Sequence, residues 1–486
     1  MPPSQEPVRR FLMGLAARSA GRIEEARAIF AGLMPGPQDA MIKLLLATML
    51  PPVYSSLNDL RDRRDRALAE LSRMKQSGFC LDLSGVFGVP WMEITYQGLN
   101  DRDAQRLLAG LQRAPQQPPL PSLHRGGGHD RIRLGLISKY FRDHTIGKLM
   151  RGLIAKLSRD GFLVTVFTFG QATDPIANFC RDHADICVPL PDDPAASRAA
   201  ILGQKLDVLY YTDIGMEPAT FTLAQSRLAP VQCVTWGHPD TTGIDTVDYF
   251  ISSEALDTDL AQEHYAEKLI RLNHPAIYYY RPPTVGPLPG RRELGLPETG
   301  TLYGCLQTLT KFHPEFDQLL ADILRRDVTA TLLLLTGNFP DMTRALADRF
   351  KSTMPDVGNR VRFLPRMDLP KFLSVQAALD VSLDPIHFGG GNTSYEALAQ
   401  GTPIVTLPAP FLRGRITYAL YKEMGVMDCV AADFQGYVDL AVRLGMDRQF
   451  RQAVRDKILA TNAVLYENPA GLRDLEGFLR TVSPRC

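Results

Sequence analysis

The sequence predicts an α/β protein built from two doubly wound halves, preceded by a helical region. Two observations carry this reading. From Arg131 onward, short apolar runs alternate with helix-length segments, the pattern of a parallel sheet wrapped by helices. A proline-rich break at 281–300 (RPPTVGPLPGRRELGLPETG) then interrupts the alternation, which restarts beyond it. The 486 residues suffice for two or three domains. With 45% hydrophobic and 22% charged residues and a net charge of +1, nothing indicates a nucleic-acid or anionic-membrane partner. Seven scattered cysteines without a C-x-x-C pair read as a reducing compartment, with neither a disulfide framework nor a zinc site. The N-terminal residues show no secretory pattern and no apolar run reaches membrane-spanning length, so a cytoplasmic location and no membrane insertion are expected.

The elements follow in order. Residues 4–36 have helical periodicity (Val8, Phe11, Leu12, Leu15, then Ile23, Ala26, Ile29, Phe30) around a turn at Gly21–Arg22. The pattern A-x-x-x-G-R-x-E-E-A-x-x-x-F resembles a single tetratricopeptide hairpin, with no second copy behind it. More helix is expected over 39–76, where LRDRRDRALAEL reads as a solvated face, and over 97–114, capped by Asn100 or Asp101. Gln116 to Gly128 (QQPPLPSLHRGGG) reads as a linker. In the first half, strands are expected at 132–137, 163–169, 186–189, 208–211, 231–236 and 248–252, with helices at 144–158 and 177–183. In the second, strands are expected at 302–306, 332–335, 361–364, 381–383 and 403–407, with helices from Pro314 and Asp341 and a helical end. The domains expected are therefore 1–120, 129–281, 295–465 and a terminal helix over 466–486. Two halves of this kind predict a ligand cleft at their strand C-termini.

The stretch LDVSLDPIHFGGGNTSYEALAQGTPIVTLP (379–408) carries the strongest chemical signal. A strand at 381–383 runs into Gly389, Gly390 and Gly391, and a helix opens at Asn392, Thr393 and Ser394. Such a unit offers backbone N–H groups and the positive end of a helix dipole to a phosphate that glycines allow close. Glu396, one turn in, suits a pair of ribose hydroxyls. Neither the P-loop nor the dinucleotide fingerprint is matched. Lys311, in LQTLTKFHPEF after strand 302–306, is placed to neutralise a leaving pyrophosphate, with Gln307 or Thr308 orienting it. Arg366, after strand 361–364, joins the candidate nucleotide contacts. In the first half, His144 stands at a helix start and is a candidate to activate an acceptor or bind phosphate. The loop His238, Pro239, Asp240, Thr241, Thr242, Gly243 forms a rigid polar rim, and Asp213 and Asp240 are alternative bases. His238 and Asp240 lack partners at metal-ligand spacing, so no metal site is expected.

Together, GHPDTTG, GGGNT-x-x-E-A-L-x-x-GTPIVTLP, the lysine between them and the R-G-R-x-x-x-A of Arg413 to Ala419 resemble the O-GlcNAc transferase/SPINDLY family over about residues 130–465. The resemblance implies the GT-B fold, with the first half on the acceptor side and the second binding a nucleotide sugar. It implies His144 as the family's N-domain histidine and Lys311 as its diphosphate lysine. Thr393 and Glu396 correspond to its pyrophosphate and ribose contacts, and 238–243 to its sugar- and acceptor-side turn. The pattern differs at Asp207, where the protein O-GlcNAc enzymes carry a second histidine, and at Gly391–Asn392, where a histidine precedes their Thr pair. The expectation is an inverting, metal-independent glycosyltransferase. It moves GlcNAc or glucose from a UDP donor to a protein or peptide side chain, with no cofactor beyond the donor. The alternatives are a GDP-sugar (fucosyl-type) or other nucleotide-sugar enzyme with a non-protein acceptor, or a non-catalytic sugar-nucleotide- or protein-binding module.

Overall fold

The apolar runs pair as parallel strands throughout both large sheets, and each crossover needed to return the chain is supplied largely by the helices between them. The computed structural model describes residues 6–36, 38–115, 131–283, 286 and 289–483. The linker expected at 116–128 lies outside the described residues, as does Cys486. The described chain divides into two compact units.

One unit comprises Leu68–Met92, Asn100–Tyr280 and the chain from Tyr466 onward. Its sheet contains β1 (Ile132–Ile137), β2 (Phe162–Phe169), β3 (Ile186–Leu190), β4 (Val208–Tyr211), β5 (Val231–Thr235), β6 (Tyr249–Ser253) and β7 (Lys268–Leu272) in the order β3-β2-β1-β4-β5-β6-β7. Leu134 pairs with Val164 on one side and Val208 on the other, and all three are fully buried. Strand order reverses between β1 and β4, so the loops leaving these two strands diverge and open a crevice where such sheets bind ligands. The terminal helix Ala470–Val482 joins this unit instead of forming a separate end. Its Glu476 accepts from the Ser158 amide (2.7 Å) and its Asp474 from the His274 amide (3.0 Å). At Gly471 an added Cβ would lie 1.8 Å from the Pro275 carbonyl oxygen, so only glycine allows this approach.

The other unit comprises the described residues up to Ala67, then Glu93–Leu99 and Arg281–Leu465. Its sheet contains β8 (Leu302–Cys305), β9 (Thr331–Leu335), β10 (Val361–Leu364), β11 (Val381–Leu383) and β12 (Ile404–Val405) in the order β10-β9-β8-β11-β12, with the reversal between β8 and β11. Leu302, Leu333, Val375 and Leu379 form its core with Leu296. The helices Glu6–Ser19 and Ile23–Ala31 make the expected hairpin, closed by Phe11 edge-on to Phe30 (5.5 Å), with Gly21 at φ +84° in the turn. The helical region expected over 1–120 is shared between the two units, because helix Leu57–Gln76 crosses from one to the other. Its charged run is not wholly a solvated face. Arg64 is buried on the same face as Leu60, Ala67 and Leu71 and donates to the Gln97 side chain at 2.8 Å. Among the described residues no helix is long and apolar enough to cross a membrane.

Candidate functional site

The chemistry-bearing loops of the five-stranded unit leave β8 and β11, the adjacent strands at which the sheet order reverses. Gln307, Thr308 and a short 3-10 turn, Leu309–Lys311, follow β8. Asp384, the glycine turn and helix Asn392–Ala399 follow β11. The Lys311 ammonium donates to Gln307 Oε1 (2.9 Å) and to the Gly389 carbonyl (2.7 Å), and lies 4.9 Å from the centre of the Phe388 ring. Tyr96 stacks on the same ring at 4.7 Å. Burial pushes the Lys311 pKa down to about 8, against the opposing field of the Asp384 carboxylate. Gln307 in turn donates to Thr393 Oγ1 at 2.6 Å, so the lysine, the glutamine and the helix start form one connected polar chain.

The glycine turn is held differently from the sequence expectation. The Gly390 N–H donates to Asp384 Oδ1 (2.5 Å) and the Gly389 N–H to the Arg413 carbonyl (2.8 Å), so both serve the loop's own shape. The groups of this loop cluster left to meet an anion, should one bind, are the helix-start amides of Asn392 and Thr393 and the Lys311 ammonium. Gly390 cannot carry a side chain, since a Cβ would lie 2.3 Å from Ser394 Oγ. Ser394 shares a hydrogen bond with Thr417 (2.8 Å), and Asp384 also accepts from Thr406 Oγ1 (2.8 Å). Glu396 is buried one turn into the helix and accepts from the Asn392 side chain at 2.6 Å. Thr308 is partly buried at the head of the 3-10 turn. Arg366 stands exposed in the loop after β10.

In the seven-stranded unit, His144 and Asp213 follow β1 and β4, again the strands at the reversal. His144 caps helix Thr145–Lys156, its Nδ1 accepting from the Ile146 amide (3.2 Å), and it stacks on Tyr140 at 4.3 Å. Burial, helped by the Arg142 charge, pushes its pKa down to about 4. A neutral ring whose Nδ1 accepts must carry its proton on Nε2, so the ring presents a donor to a ligand, not a base. Asp213 is fully buried and accepts from Ser138 Oγ and Thr212 Oγ1, both at 2.9 Å. Burial, with the Glu217 charge, raises its pKa to about 7. It ties the loops after β1 and β4 together and has no exposed surface from which to take an acceptor proton.

The loop 238–243 is anchored by a residue the sequence reading missed. Glu267 is buried and accepts from Thr241 Oγ1 (2.7 Å), from the Thr242 amide (2.8 Å) and from Thr242 Oγ1. Both threonine hydroxyls thus serve the loop's conformation. Asp240 accepts from the Thr241 amide (3.0 Å), and the His238 ring packs on Gly215, where a Cβ would meet it at 2.6 Å. Gly243 takes φ +69° with its Cα against the Gln105 backbone. Asp207, at the histidine position of the family pattern, is buried and accepts from the Arg133 amide at 2.7 Å, a structural contact.

Residues 280–467 match the profile of glycosyl transferase family 41. Among similar proteins, SPINDLY of Solanum lycopersicum, a probable UDP-N-acetylglucosamine–peptide N-acetylglucosaminyltransferase, is 28% identical over 366 residues, covering 72% of this chain and 38% of its own length. SPINDLY of Petunia hybrida is 30% identical over 327 residues, covering 65% and 34%. SEC of Arabidopsis thaliana is 24% identical over 371 residues, covering 72% and 37%. The chain thus spans between 34% and 38% of the length of these relatives. A mutant O-GlcNAc transferase of Thermobaculum terrenum superposes with a TM-score of 0.75 at 22% identity, covering 99% of this chain and 91% of that one. This likeness establishes the GT-B fold expected from the sequence.

Proposed function

We propose, for a chain that carries a glycosyl transferase family 41 domain over residues 280–467 on the fold of an O-GlcNAc transferase, that it transfers a sugar from a nucleotide donor to a protein or peptide side chain. The observation that carries this reading is the Lys311–Gln307–Thr393 chain. It joins the two loops at the reversal of the five-stranded sheet and sets an ammonium beside a helix N-terminus. A nucleoside diphosphate leaving group develops negative charge as the glycosidic bond breaks, and these groups stabilise that charge without reorganising. The acceptor attacks the anomeric carbon opposite the diphosphate, which inverts its configuration. The donor is UDP-linked in this reading. His144 Nε2–H acts as a hydrogen-bond donor to substrate. Charge stabilisation falls to Lys311, because the acidic residues around the strand exit are engaged. Asp380 pairs with Arg291 (2.7 Å) and Arg451 (3.2 Å), and Asp384 holds Gly390 and Thr406.

The test is a panel of UDP-GlcNAc, UDP-glucose and GDP-fucose with a peptide mixture, following free nucleoside diphosphate and the mass added to peptide, with and without EDTA. The expected result is a hexose or N-acetylhexosamine adduct formed equally in both. Failure of every donor to release diphosphate contradicts the assignment, and loss of turnover on chelation that magnesium or manganese restores contradicts the metal-independent mechanism.

The lowered Lys311 pKa has a pH consequence. A lysine with a pKa near 8 is charged below that pH and neutral above it, so kcat/KM should hold up to about pH 8 and fall above it. A profile flat to pH 10 would remove the ammonium from the rate-determining chemistry. Glu396→Gln keeps the Asn392 contact available but removes the charge offered to ribose. Nucleotide affinity should fall about 10- to 100-fold in calorimetric titration. Unchanged affinity with a lower Tm assigns Glu396 to the helix start alone.

A further inference from the structure

The same two loops hold a second polar cluster that the transfer reading does not use. His313, two residues beyond Lys311, is buried, and Glu315 follows it. His387, just ahead of Phe388, adopts φ +69°, a conformation uncommon outside glycine. His387 Nε2 lies 2.8 Å and His313 Nδ1 3.4 Å from Glu315 Oε2, and the three ligand atoms fall within 4.8 Å of one another. The imidazoles meet edge-to-face, 4.5 Å between centres.

We propose that His313 Nδ1, the Glu315 carboxylate and His387 Nε2 form a binding site for one zinc-class divalent cation, with water as the fourth ligand. Tetrahedral zinc with bonds of about 2.0–2.1 Å sets its ligand atoms roughly 3.3 Å apart. The His313–Glu315 separation already has that value, and the other two reach it by side-chain adjustment. Two imidazoles and one carboxylate favour zinc over magnesium or calcium, which take oxygen ligands. His313 is already in the tautomer that a ligand at Nδ1 needs. Its Nδ1 accepts from the Glu315 amide at 3.3 Å, a long hydrogen bond that a cation at this nitrogen would replace, and the ring's proton therefore sits on Nε2, on the side of the Gln97 backbone. The Nε2 contact fixes the tautomer and ring orientation, as the outer contact of a ligating histidine does. His387 is held in place by Gly98, where a Cβ would lie 2.6 Å from its ring. The Glu315 and His387 side chains keep 35% and 19% of their surface exposed, which leaves an outward position for water. Sequence spacing could not show this set, since 72 residues separate Glu315 from His387. Bound cation would fasten the loop that carries Lys311 to the loop that carries Gly389.

The test uses the full chain freed of metal by chelator and dialysis, titrated with zinc chloride, with cobalt as a spectroscopic substitute. Expected are one saturable site, a raised Tm and the visible absorption of tetrahedral cobalt. Glu315→Gln and His387→Gln alter partly exposed side chains, so each should fold while losing affinity by about tenfold or more. Absence of saturable binding at about 0.1 mM zinc overturns the proposal and leaves the cluster a hydrogen-bonded staple. Undiminished binding in both variants overturns it equally, placing the metal elsewhere. Neither readout depends on glycosyl transfer.

Discussion

Lys311→Ala should fold normally and lose turnover by about a hundredfold or more. The ammonium is held by two neutral oxygens, of Gln307 and Gly389, and by the face of Phe388. None of these partners is a carboxylate, so its charge is not cancelled by direct ion pairing and can serve an incoming diphosphate. A preorganised donor at developing charge contributes about 3 kcal/mol in comparable sites, which corresponds to the expected loss. Lys311 and Gln307 are partly exposed, so water can replace the lost ammonium and the effect on Tm should be small. Single-turnover rates beside thermal melts provide the check. A variant that keeps more than about a tenth of the wild-type rate would show that another group carries the leaving charge.

Asp384→Ala should be the most damaging substitution in the glycine turn, reducing both stability and activity. Asp384 is buried at the exit of β11, and its two oxygens hold the Gly390 amide and the Thr406 hydroxyl. Each buried group left without its partner costs about 1–3 kcal/mol. The same carboxylate is the main influence opposing the burial that lowers the Lys311 pKa. Its removal therefore moves the lysine further below 8, and the alkaline fall in kcat/KM should shift to lower pH in the residual activity. A drop in Tm without that shift would confine Asp384 to loop structure. An unchanged Tm would contradict the packing described for the turn.

The parts of this molecule that were legible in sequence are those with local signatures. Strands such as Ile132–Ile137 and Val361–Leu364 are short apolar runs, and their observed bounds equal the expected ones. The edge strand Lys268–Leu272 was overlooked because lysine and arginine interrupt its apolar pattern. Helices Pro194–Gly203 and Pro218–Ala224 were also missed, although each is announced by an acidic cap before proline, Asp193 and Glu217. The glycine turn and Lys311 could be read from composition and position, but the fate of the turn's amides could not. It depends on Asp384 and on the Arg413 carbonyl, which reach Gly390 and Gly389 only after folding. Glu267 was invisible for the same reason: its hold on Thr241 and Thr242 spans 26 and 25 residues and has no motif. His144 stands at a helix start as expected, yet its direction of hydrogen bonding follows from the helix it caps.

The central claim is that a nucleoside diphosphate is gripped where β8 and β11 diverge, by Lys311 and the start of helix Asn392–Ala399. Calorimetric titration of UDP, GDP and UMP into the wild-type chain and Lys311→Ala tests it most directly. The account predicts saturable binding of a nucleoside diphosphate, about tenfold or more tighter than UMP, with that preference lost in the variant. Equal affinity for UDP and UMP, or a preference that survives Lys311→Ala, would contradict it.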